Sequence, residues 1–97
     1  MDRRYEVWIL ETEAYRLSLE PFGAWAFVHN DVYTWNRTVL REINDTLNFL
    51  EARYDLRVFA HPDNRQLHRY AGLFGFTLDH SMPRPLDGEL YNILRRH

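Results

Sequence analysis

Proton transfer is the first chemistry that the residue types of this chain offer. His29 closes a run of alternating residues, Glu6 and Glu11 lie in and just after the first such run, and Asp79 and His80 stand near the C-terminus. An imidazole accepts a proton at neutral pH without a large environmental shift, which puts His29 first among these as a general base. The same residue reads, more simply, as the polar end of a strand. Tyr70, at helical spacing from Leu67 and Phe74, carries a phenol that reads either as an acid or as part of a core. None of the five histidines stands in an HxxxH or HExxH arrangement, so no zinc motif is present. The absence of cysteine removes disulfides, thiol nucleophiles and thiolate metal sites together. Arg65, Arg69, Arg84, Arg95, Arg96 and His97, with Tyr33 and Trp35 as stacking groups, offer a basic surface for nucleic acid. Each of those arginines also reads as an ordinary solubilising charge.

Composition bounds the rest. Ninety-seven residues suit one domain spanning 1–97. A hydrophobic content of 45%, with 15% aromatic, supports a core and argues against disorder. A formal charge of -2 leaves no global basic field of the kind that non-specific nucleic-acid binding uses. The opening residues, Met1 to Glu6, turn polar too quickly for a signal peptide or a membrane span, so a cytoplasmic protein without a membrane partner is expected.

The elements that must position these groups follow from periodicity. Tyr5 to Leu10 alternate as a strand covered on both sides, and Tyr15, Leu17 and Leu19 alternate with Arg16, Ser18 and Glu20 as a half-buried strand. Pro21-Phe22-Gly23 breaks that pattern, and Ala24 to His29 resumes it. Val39, Leu40, Ile43, Leu47, Leu50 and Tyr54 form the apolar stripe of a long helix, capped by Thr34 or Asn36. Leu56 to Ala60 is a strand that Pro62 ends, and it should lie parallel to the strand before the helix. Asp63 or Asn64 caps a second helix with Leu67, Tyr70, Ala71 and Phe74 on one face. Strands from Thr77 to Met82 and Glu89 to Arg95, around the loop Pro83 to Gly88, complete the chain. The expected class is α+β, with one mixed sheet in the order βββ-α-β-α-ββ.

Asn64, Leu67 and Gly75-Phe76 resemble the N-x-x-A-x-x-x-Y-x-x-x-G-F segment of the GNAT superfamily of N-acetyltransferases. Asp87-Gly88-Glu89-Leu90-Tyr91-Asn92-Ile93-Leu94 is similar to the turn and last strand of many members, and the likeness covers about Ala24 to Arg96. It implies a minimal GNAT-like fold without the family's first strand and first two helices. It also implies acetyl-CoA as cofactor in an active member, transferring acetyl to an amine. Val28, Thr34, Asn36, Arg37, Thr38 and Asn64 would then hold acetyl-CoA, with His29 as base and Tyr70 as acid.

Two departures weigh against that activity. The family grips diphosphate on a glycine turn opening the long helix, where exposed amides and the helix dipole favour an anion. Here Asn30 to Thr38 contains no glycine and carries Tyr33 and Trp35. The acid tyrosine expected seven residues after Asn64 is Ala71, with Tyr70 one position early. The chain is closer to the small GNAT-like proteins of short-tailed bacteriophages, one of them an internal virion protein. They resemble it in lacking the glycine turn and in an N-x-x-x-x-R segment like Asn64 to Arg69. That likeness implies a phage-encoded protein of the host cytoplasm or virion, with a degenerate acetyl-CoA site and a protein-binding or assembly role. Its expected contacts are the first strand and the loop Val32 to Trp35, with a protein partner or in a homodimer. An active acetyltransferase and a small inhibitor or nucleic-acid-associated protein are the alternatives.

Overall fold

In the computed structural model, which describes residues 7–84 and 87–96, eight elements follow one another. They are β1 (Trp8–Glu11), β2 (Tyr15–Phe22), β3 (Trp25–Val32), α1 (Arg37–Glu51), β4 (Asp55–Ala60), α2 (Arg65–Leu73), β5 (Phe76–Pro83) and β6 (Leu90–Arg96). This is the element order that the periodicity predicts, and the class is α+β. Tyr5 and Glu6 of the expected first strand, Pro85 and Leu86 of the expected loop, and His97 of the arginine group lie outside the described residues. The chain divides into two compact units, Met1–Leu56 and Arg57–His97.

The first unit is an antiparallel meander followed by a helix. Leu10 pairs with Leu17 across β1 and β2, and Ser18 pairs with His29 across β2 and β3. Thr12 shapes the first turn by accepting the amides of Ala14 and Tyr15 on its hydroxyl, both at 3.1 Å. The second turn is tighter than Pro21-Phe22-Gly23 suggests, because β2 runs on until Phe22 pairs with Trp25. Leu19 accepts the Val7 amide, so two residues on, Pro21 turns its missing N–H towards the β1 side and away from β3. Only Gly23-Ala24 is left to reverse the chain, and Gly23 does so at φ 61°. In α1, Val39, Ile43, Leu47 and Leu50 are buried at three-to-four spacing. Tyr54 does not extend that stripe: the helix ends at Glu51 and Tyr54 is exposed.

The second unit is an antiparallel arrangement in the order β4-β6-β5, with Phe59 opposite Ile93 and Thr77 opposite Arg95. Ala71, Phe74, Phe76, Ile93 and Leu94 are buried. The ladder between β5 and β6 is regular except for a shift between Leu78 and His80. One extra residue there, Asp79, makes a bulge that re-aims its neighbours.

Candidate functional site

Alternation along β2 and β3 places Arg16, Ser18, Glu20 and Phe22 on one face with Asp31, His29, Phe27 and Trp25 opposite them. The sequence pattern marks Arg16, Ser18 and Glu20 as the open side of a half-buried strand. The structure corrects this, since Ser18 is 0% and Glu20 5% exposed. On the same face, at the hairpin end, Phe27 meets Phe22 at 5.7 Å and Trp25 at 6.1 Å between centroids.

Glu20 is the functional group that periodicity passed over. Its Oε1 lies 3.2 Å from His29 Nε2, and the two side chains are only 6% and 18% exposed. An ionised carboxylate only accepts hydrogen bonds, so Nε2 carries the proton and Nδ1 the lone pair when the ring is neutral. Ser18, the cross-strand neighbour of His29, buries a hydroxyl with no hydrogen-bond partner. Glu11, on the next row, faces Arg16 at 3.7 Å and is exposed.

The residues expected to hold acetyl-CoA are differently employed. Val28 is half-buried on the opposite face of β3 from His29, across from Leu19. Thr34 donates its amide to the Ala14 carbonyl. Asn36, not Thr34, caps α1, its Oδ1 accepting the Val39 amide at 2.9 Å. Thr34, Asn36, Arg37 and Thr38 are exposed, and so are Tyr33 and Trp35, at 56% and 48%. The first turn of α1 has a side chain on one amide and aromatic rings just ahead of it, with no glycine to let a diphosphate approach. These residues do not fit that group. In the second unit, Asn64 caps α2 by accepting the Leu67 amide at 3.0 Å. Tyr70 is half-buried, its ring set edge-on to Phe74 at 5.5 Å.

The remaining polar groups of the second unit are tied to one another. Asp79 Oδ2 accepts from Arg57 Nη1 and from His80 Nδ1, each at 2.7 Å. The His80 hydrogen bond, then Arg57, hold the Asp79 carboxyl below its ordinary value. His68 donates Nδ1–H to the Asn64 carbonyl and receives the Asn92 amide on Nε2, while Asn92 Oδ1 accepts from Ser81. Arg84 pairs with Asp87 and lies over the Tyr91 ring, and Arg96 donates to the Phe74 carbonyl. Arg95 alternates to the other face from Arg96, and Arg65 and Arg69 are exposed along α2.

Among the described residues, no group of three histidine, cysteine or acidic side chains gathers as metal ligands, and no helix is long and apolar enough to cross a membrane. No family model, curated protein or solved structure matches the chain.

Proposed function

We propose that this chain is a GNAT-like binding protein, related to the small phage-encoded members, with Tyr33 and Trp35 as its contact surface. The observation that carries the reading is the start of α1. Asn36 occupies the Val39 amide that a diphosphate would take, while two large rings stand in solvent beside it. Exposed aromatic side chains supply contact area at low entropic cost, which is why they dominate protein interfaces. β1 pairs only with β2 among the described residues, and its other edge is a second place for a strand to add. A protein partner, or a second copy, suits both features. Calorimetry with acetyl-CoA is the test. No heat at millimolar ligand is expected, and low-micromolar binding would sink the reading. Light scattering on the full chain, with and without Tyr33→Ala, then separates self-association from the capture of another protein.

A second reading, acyl transfer to an amine, is favoured by one observation, the enclosed Glu20–His29 contact. Buried carboxylates are costly and concentrate at functional sites. Binding of acetyl-CoA in the same calorimetric experiment is what that reading requires.

A further inference from the structure

We propose that Asn64, His68, Asn92 and Ser81 form a pH-operated switch. In it, protonation of His68 turns the Asn92 amide over and reverses the hydrogen bonds that run out to the surface of β5.

The geometry begins at the cap of α2. The Asn64 carbonyl takes the His68 amide at 3.2 Å and lies 2.7 Å from His68 Nδ1. A carbonyl only accepts, so the neutral ring carries its proton on Nδ1 and its lone pair on Nε2. Asn92 Nδ2 donates to that lone pair at 3.0 Å. With Nδ2 committed to the ring, Oδ1 is left to accept the Ser81 hydroxyl, at 2.7 Å. Every donor therefore points from β5 towards the helix. Ser81 is exposed and stands opposite Asn92 in the ladder, whereas Asn92 and His68 are half-buried, so the four groups join the surface to the interior.

A proton can reach the neutral ring only at Nε2. Two donors, Nε2–H and Nδ2–H, then face each other. The bond from Nδ1 strengthens when the ring is charged, which holds the imidazole where it is. Asn92 is the neutral member, and its terminal amide turns about a broad, two-fold torsion. Turned over, Oδ1 accepts from Nε2 and Nδ2 donates to Ser81. A hydroxyl both donates and accepts, so Ser81 takes that bond on oxygen and offers its hydrogen to solvent. The side chains keep their places, but at Ser81 the exposed surface changes from acceptor to donor.

The charges around His68 leave this role to Asn92. On α2, Arg65 precedes His68 and Arg69 follows it, both exposed, and Asp63 stands exposed ahead of the helix. From β4, the face shared with Asn92 presents Val58 and Ala60. From β6, Arg96 on that face is held by the Phe74 carbonyl, at the far end of α2. Glu89, just before β6, lies 3.9 Å from His61. On β5, Asp79 is bound to Arg57 and His80. Among the described residues no carboxylate pairs with His68, so the oxygen that receives its second N–H is that of Asn92.

Nuclear magnetic resonance of the labelled full chain is the test. At mildly alkaline pH, His68 should be protonated at Nδ1, with a coupling across the hydrogen bond between Asn92 Nδ2 and His68 Nε2. His61, which accepts the Asp63 amide on Nδ1, should be protonated at Nε2 and serves as the internal contrast. At about pH 5, where imidazoles are charged, the first coupling should give way to one from His68 Nε2 to the Asn92 side-chain carbonyl carbon. Neutral His68 protonated at Nε2, or an acid form without the carbonyl coupling, would overturn the proposal. Asn92→Asp, which can only accept, should hold the acid direction and raise the pH at which His68 takes up its proton by about one unit. No rise would count against the switch. Should that variant not fold, the two spectra of the unaltered chain decide the matter.

Discussion

The two units differ in how far their polar side chains are linked to one another. In the first, Glu20 meets His29 and the enclosed Ser18 hydroxyl meets nothing. In the second, Arg57, Asp79 and His80 form one connected group, and Ser81, Asn92, His68 and Asn64 form another. A satisfied network rigidifies its surroundings, whereas an enclosed group left open costs stability without return. The difference teaches that polar residues on a strand cannot be valued by type. Ser18 and Ser81 are chemically identical, yet one burdens the fold and the other completes a chain of hydrogen bonds.

The comparison can be broken or sharpened by substitution. Phe74→Ala should cost the most, about 3–5 kcal/mol in urea unfolding, because a fully enclosed ring is removed from the second unit. A loss below about 1 kcal/mol would mean that packing there is slack. Asn92→Ala should cost about 1 kcal/mol, since the half-buried His68 Nε2 loses its donor while the exposed Ser81 hydroxyl turns to water. Ser18→Ala should have the opposite sign, stabilising the chain by about 1 kcal/mol, because no protein hydrogen bond is lost. If both substitutions destabilise equally, the contrast between the units fails. Asn36→Ala and Asn64→Ala test one cap in each unit and should each cost about 1 kcal/mol, read as a fall in thermal midpoint.

The gentlest test is acid titration. Asp79 is held below the ordinary carboxyl value by His80 and then Arg57. Its contribution is therefore complete above the unfolded value of about 3.9, and it is lost as pH falls through the lower folded value. Unfolding midpoints of the unaltered chain should drop more steeply below about pH 4 than those of Asp79→Asn. Parallel curves would remove Asp79 from the network.

Much of the site was legible only as a set of residue types. His29 stood out because imidazole is chemically conspicuous, but its partner Glu20 was hidden inside an alternation that reads as strand and solvent. Asp79 and His80 were visible as neighbours, yet adjacent residues on a regular strand point to opposite faces. A bulge brings them together, and nothing in Leu78 to Met82 announces one. Arg95 and Arg96, adjacent in the sequence, likewise fall on opposite faces of a strand.

Local chemistry alone determined the order of elements, the caps Asn36 and Asn64, and the buried stripe from Val39 to Leu50, because each depends on groups within a turn or two of one another. Tertiary structure decided that Glu20 would be enclosed against His29, that Pro21 would continue a strand, and that Arg57 would anchor Asp79. Those outcomes depend on which strand lies alongside and in what register, and pairing energy is shared among residues far apart in the chain.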